Sequence, residues 1–168
     1  GPSPKQQSCT LCPEGEFTSN ASNTFCFPCT PGYLCIEGSS APQPCPGGTH
    51  ANQTVFNLTG YLSSLDQCVV CPPGTSCSVG SAEPKPCLPG SFAFSHATES
   101  CTLCSAGEFQ DAYGQTACKP CSRGRYCEVG TAKPTPCPAG TASNTTGLVM
   151  ESQCVDVLPG FWAPIGSA

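Results

Sequence analysis

The sequence predicts an elongated rod of small disulfide-rich repeats, built from short β-hairpins and turns, with little or no helix and no central hydrophobic core. Three observations predict it: too few large apolar residues, an excess of cysteine, and a cysteine spacing that repeats along the chain.

Leu, Ile, Val and Phe number 27 of the 168 residues. That is about 16%, below the level of roughly 20% at which a chain lacking other support stays disordered. The 18 Gly and 19 Pro favour turns and extended chain over helix. Burial alone cannot hold such a chain, and the 17 Cys are the residues left to do so. Net charge is −5, with six Lys plus Arg. Lys5, Lys85, Lys119, Arg123, Arg125 and Lys133 are scattered apart from a small cluster at 119–125. Nucleic-acid binding needs a basic face to neutralise phosphates, so that class is excluded. No apolar run approaches the ~20 residues that span a bilayer, so no membrane insertion by this segment is expected.

Internal similarity is the strongest signal. Shifted by 92 residues, Cys9, Cys12, Cys26, Cys29, Cys35 and Cys45 fall on Cys101, Cys104, Cys118, Cys121, Cys127 and Cys137. A shorter pattern, C-x2-C, five residues, Cys, nine residues, Cys, occurs at 26–45, 68–87 and 118–137. Each copy has a Gly in the five-residue loop (Gly32, Gly74, Gly124) and another after the third Cys (Gly38, Gly80, Gly130). Each ends in Pro-x-Pro-Cys, which holds the chain near polyproline II between loops. The pattern divides the chain into residues 1–8, a linker or tag remnant opening on Gly1-Pro2, and three cysteine-rich modules at 9–45, 46–100 and 101–154. Residues 155–168 begin a degenerate, truncated repeat.

Seventeen is odd, so one cysteine at least lacks a partner in this chain. Sequential pairing of neighbours from Cys12 gives long loops Cys12–Cys26, Cys45–Cys68, Cys87–Cys101, Cys104–Cys118 and Cys137–Cys154, each opening with Cys-x-x-Gly. The short loops are then Cys29–Cys35, Cys71–Cys77 and Cys121–Cys127, and Cys9 is left unpaired, expecting a partner upstream. The degenerate copy favours this order over a crossed one (68–77, 71–87). Val157 and Ala163 replace the equivalents of Cys71 and Cys77 together, while Cys154 is kept.

Cys12-Pro-Glu-Gly-Glu-Phe…Cys26-x2-Cys29 and Cys71-Pro-Pro-Gly-Thr-Ser-Cys77 resemble the ephrin-receptor-like cysteine-rich repeats. The long loops are similar to modules of the tumour-necrosis-factor-receptor and EGF-like kind. The resemblance covers about 9–154 and implies a slender segment of a large cell-surface protein, of the sort single-celled eukaryotes string together. It carries over no catalytic residue.

Other motifs are weaker. Cys9-x2-Cys12-x13-Cys26-x2-Cys29 matches a zinc-ribbon spacing, but the cysteines at 35 and 45 have no place in such a site, so no metal is expected. His50 and His96 have no repeated acid or serine partner, and the acidic residues form no calcium ladder. No cofactor and no enzymatic activity are therefore expected. Asn20, Asn52, Asn57 and Asn144 are N-glycosylation acceptors within long loops, read as solvent-facing tips. Phe17, Tyr33, Phe92, Phe109 and Tyr126 follow loop glycines and read as one-residue cores over a disulfide. Phe161 and Trp162, in the copy that lost its bridge, and Arg123 with Arg125 are the candidate partner contacts.

The resulting expectation is an extracellular or cell-surface segment that reaches its place through the secretory pathway. It acts as a rigid spacer or structural element whose partners are neighbouring repeats of the same larger protein. The alternative is a receptor or adhesin segment gripping a protein or glycan ligand. Reduction by dithiothreitol is expected to abolish the thermal unfolding transition, whereas EDTA leaves the melting temperature unchanged. A fall in EDTA that zinc reverses sinks the disulfide reading.

Overall fold

The computed structural model describes residues 10–20 and 23–168; Cys9 and the linker 1–8 lie outside the described residues, as do Ala21 and Ser22. Each strand is short because the sequence interrupts it. Every first strand begins directly after a glycine, and every second strand but the last runs into a cysteine. Eight antiparallel hairpins result: β1 (Glu16–Phe17) with β2 (Phe27–Pro28), β3 (Tyr33–Leu34) with β4 (Gln43–Pro44), β5 (Thr49–Ala51) with β6 (Cys68–Val70), and β7 (Thr75–Ser76) with β8 (Lys85–Pro86). They continue with β9 (Ser91–Phe92) and β10 (Thr102–Leu103), β11 (Glu108–Phe109) and β12 (Lys119–Pro120), β13 (Arg125–Tyr126) and β14 (Thr135–Pro136), β15 (Thr141–Ala142) and β16 (Val155–Asp156).

The underlying unit is one hairpin, which is finer than the sequence pattern of long and short loops. Units open at Cys12, Cys29, Cys45, Cys71, Cys87, Cys104, Cys121, Cys137 and Val157, with a Gly three residues later in every case. The third and eighth units carry insertions. The insertion in the third forms α1 (Gln53–Thr59), capped at its start by the Asn52 side chain, which accepts from Thr54 N (3.0 Å) and Val55 N (3.4 Å). Val55 and Phe56 pack with Leu34, Ala51, Leu62 and Cys45 into a small apolar cluster. This local burial is what makes a helix in a chain expected to have almost none.

Four backbone hydrogen bonds join one unit to the next. At the step from the fourth to the fifth, Cys87 N–H donates to Gly74 C=O (2.9 Å) and Gly74 N–H to Ala93 C=O (2.8 Å). Cys77 N–H donates to Thr98 C=O (2.9 Å) and Ala97 N–H to Cys71 C=O (3.0 Å). Equivalent positions repeat the same set at every other step but one. Only the step onto the helix-bearing third unit is thinner, with Cys45 N–H to Gly32 C=O and Cys35 N–H to Leu62 C=O. Parallel bridges such as Phe109↔Thr131 and Tyr126↔Leu148 mark the same ladder. The thinner step falls at Cys45, where the first and second sequence modules meet, whereas the set is complete on both sides of residues 100–101.

Contacts also reach the second neighbour. A Cβ on Gly74 would lie 2.1 Å from the carbonyl oxygen of Gly114, two units along, and one on Gly90 would lie 2.2 Å from that of Gly130. Stacking is thus closer than the nearest-neighbour contact expected of a simple repeat array. Tyr33 and Tyr61 use the same overlap, their side chains lying against Gly80 and Gly15. The interior is sulfur rather than hydrocarbon: most of the buried hydrophobic residues are cysteines, among them Cys35, Cys45, Cys71 and Cys104 at 0% exposure.

The array is elongated. Its accessible surface is 10339 Å² for 17.2 kDa, where a globular chain of that mass exposes about 7,800 Å². Small-angle scattering should therefore give a radius of gyration well above the globular value of about 15 Å. A globular radius with a symmetric distance distribution refutes the rod. Gly74 has φ +80° and no room for a side chain, so Gly74→Ala should cost about 3 kcal/mol or more in chemical denaturation. Ala97 holds φ 57° where most other units place glycine, so Ala97→Gly should gain about 0.5–1 kcal/mol.

Candidate functional site

With no catalytic cluster expected, the features that can carry function are the cystine frame and the surface it presents. The structure joins Cys12–Cys26, Cys29–Cys35, Cys45–Cys68, Cys71–Cys77, Cys87–Cys101, Cys104–Cys118, Cys121–Cys127 and Cys137–Cys154. Their Cα–Cα separations of 5.7–6.3 Å suit a disulfide without backbone movement.

Long and short loops are two ways of closing one hairpin. In the third unit Cys68 pairs in register with Ala51, the residue three after Gly48, and the opening Cys45 bonds to the second-strand member of that pair. In the fourth unit the register Thr75↔Pro86, Ser76↔Lys85 brings Cys77 opposite Pro84, and the opening Cys71 bonds to the first-strand member. Every intact unit places its cysteine at one or the other of these facing positions. In long-loop units the facing first-strand residue is usually small, as at Ala51, Ala93 and Ser143. Gln110 is the exception: 1% exposed, its amide donates to Ala117 C=O (2.7 Å) and accepts from Ala112 N–H (3.1 Å). Both C-x2-C cysteines of each described pair are bonded to sulfur elsewhere, which leaves no thiolate there to ligate a metal.

The glycosylation acceptors do not share one setting. Asn20 and Asn144 are exposed near hairpin tips. Asn52 is the half-buried cap of α1 and Asn57 is exposed on that helix, so the long loop that carries both is partly helical rather than a bare tip. Phe17, Phe92, Phe109, Tyr33 and Tyr126 are half-buried on first strands. Phe161 and Trp162 are 73% and 85% exposed and line a groove of ≈ 610 Å³ with Asn144, Val155 and Leu158. Arg123 and Arg125 do not line that groove.

The basic cluster is largely occupied internally. Lys119 Nζ lies 2.8 Å from Asp111 Oδ1 and 5.9 Å from the centroid of the Phe109 ring across β11–β12. Its hydrogen bond holds the Asp111 carboxyl below the ordinary aspartate range. Both side chains are more than half exposed, so the pair adds little to stability. Arg125 donates to Pro134 C=O (3.3 Å). The Tyr126 hydroxyl titrates above its ordinary value because of desolvation, with the charges of Glu151 and Glu128 adding to it. His50 keeps Nδ1 2.8 Å from Ala51 O, and His96 is exposed.

Sequence reasoning missed the ladder itself. Its signal was nevertheless present, because Cys-x-x-Gly opens the short loops as well as the long ones, at Gly32, Gly74 and Gly124. Reading the two loop types as different motifs hid the single repeat.

A search of curated proteins returned no significant match. The family model described as tyrosine-protein kinase ephrin type A/B receptor-like matches residues 90–134, which span most of the fifth unit, the sixth and most of the seventh. This is a non-catalytic kind of domain, and dense disulfides of this sort suit an oxidising, extracellular setting. Among the described residues no helix is long and apolar enough to cross a membrane. With its short hairpins and cystines, the segment 90–134 is similar to the cysteine-rich repeats of the ephrin-receptor-like type.

Proposed function

We propose that the chain is a stiff extracellular spacer within a larger secreted or cell-surface protein, holding the parts on either side of it at a set distance. The observation that carries this reading is the backbone ladder, four hydrogen bonds at every step but the one onto the third unit. Flexible beads on a string would need free linkers, and where only two residues separate adjacent cystines, as at Phe27-Pro28 and Lys119-Pro120, these are themselves strand residues. Neighbouring repeats of the same protein are its partners, and the exposed acceptors Asn20 and Asn144 suit glycans that keep its flanks soluble.

A ligand-binding reading has one observation of its own, the groove bearing Phe161 and Trp162. Exposed Trp is a common anchor in protein interfaces. Atomic-force imaging of single molecules separates the two readings. The spacer predicts straight particles with a narrow spread of end-to-end length, identical in the Phe161→Ala/Trp162→Ala variant. A broad, string-like distribution overturns it. Capture on a glycan or protein array that the double variant abolishes establishes the binding reading in its place.

A further inference from the structure

The bridges and the placement of cleavable residues fit together in a way that neither the fold nor the spacer reading requires. Between Cys12 and Cys154, the spans outside every disulfide loop are 27–28, 36–44, 69–70, 78–86, 102–103, 119–120 and 128–136. A peptide bond cut in one of these spans divides the chain. A bond cut inside a loop leaves both sides joined through sulfur.

Basic and aromatic residues follow this division closely. Lys85, Lys119 and Lys133 lie outside the loops, and each is followed by proline: Pro86, Pro120 and Pro134. Arg123 and Arg125 precede ordinary residues, and both lie inside the Cys121–Cys127 loop. Phe27 is the aromatic outside the loops in this stretch, and Pro28 follows it. Phe17, Phe25, Tyr33, Phe56, Tyr61, Phe92, Phe94, Phe109, Tyr113 and Tyr126 all lie within loops. Serine endoproteases choose their bond by seating a basic or aromatic side chain in a specificity pocket. A proline just after that residue removes the N–H and imposes a rigid ring at the leaving side, which blocks the cut.

We infer that the array is built to stay covalently continuous under attack by endoproteases that select basic or aromatic residues, their cuts being confined to disulfide-closed loops. Each cut adds one water across a peptide bond, giving a carboxylate and an ammonium, and leaves the S–S bonds untouched. Acidic residues show no such confinement. Glu37–Gly38 and Glu128–Val129 lie outside the loops, and both glutamates are exposed. They follow Cys35 and Cys127 in short-loop hairpins whose second strand no bridge of their own holds. The inference concerns covalent connection alone, so it stands or falls separately from the spacer reading.

Exhaustive trypsin digestion of the folded, oxidised chain is the test, read on gels run without and with reductant. The expected result is one species without reductant and two large pieces after reduction, divided at Arg123–Arg125. Two pieces without reductant overturn the inference. Pro134→Ala exposes the Lys133 bond outside every loop, and trypsin should then divide the oxidised chain. Pro28→Ala should likewise admit chymotrypsin after Phe27, identified by fragment mass. A Glu-specific endoprotease should divide the unaltered chain at Glu37 and Glu128 without reductant, and Glu37→Gln/Glu128→Gln should prevent it. If the proline variants and the Glu-specific digest all leave the oxidised chain whole, general inaccessibility protects it and the placement of residues does not.

Discussion

The close approach of backbone to backbone at the unit glycines governs everything else in this structure. Gly74 can donate to Ala93 C=O and accept from Cys87 N–H only because nothing projects from its Cα toward Gly114. A chain with 27 large aliphatic and Phe residues has no core to draw its elements together. It substitutes polar backbone contact, shielded from water by the cystines on which it lies. The hydrogen bonds are modest one by one, but they recur along the array and share one geometry.

The cystines and the ladder act on different states. A bridge limits the unfolded chain, by about 2–3 kcal/mol for loops of this size in the chain-entropy model. The ladder stabilises the folded one and ties each hairpin to the next. Disulfides alone would give eight independent knots free to swivel. Hydrogen bonds alone would leave two-residue strands, which are far too short to persist in water. Together they make each hairpin permanent and its orientation fixed relative to its neighbours.

The fold class was legible because composition and cysteine spacing speak to it directly. Low aliphatic content excluded a core, and repeated loops of six and fourteen residues pointed to small closed hairpins. What stayed hidden had physical causes. The common repeat was masked because the second cysteine moves from one strand to the facing position on the other, changing loop length while leaving the backbone alone. Helix α1 was hidden because its support, Leu34, Cys45 and Leu62, comes from two units. The second-neighbour contact was invisible because glycine spacing shows a need for room without saying what fills it. Of the candidate contacts, Phe161 and Trp162 are adjacent in sequence and share a groove, whereas the arginines were linked to them only by being unusual residues in a bland chain.

The two modes of closure also decide where the chain tolerates added length. In the long-loop hairpins the bridge closes the base, so residues added beside the ladder contacts of the turn stay enclosed by it. The helix of the third unit and the extra residues of the eighth both sit in such loops, and Gln67 and Gln153 re-anchor the returning chain through Ser63 N (2.8 Å) and Val149 N (2.6 Å). The short-loop hairpins, whose turns lie outside their own bridges, all keep one length. The array is thus a ruler with fixed graduations and open ports. Foreign peptide placed in the tip of hairpin β15–β16 would be held out sideways at a set height along the rod, and lengthening the turn of β7–β8 would break the scale itself.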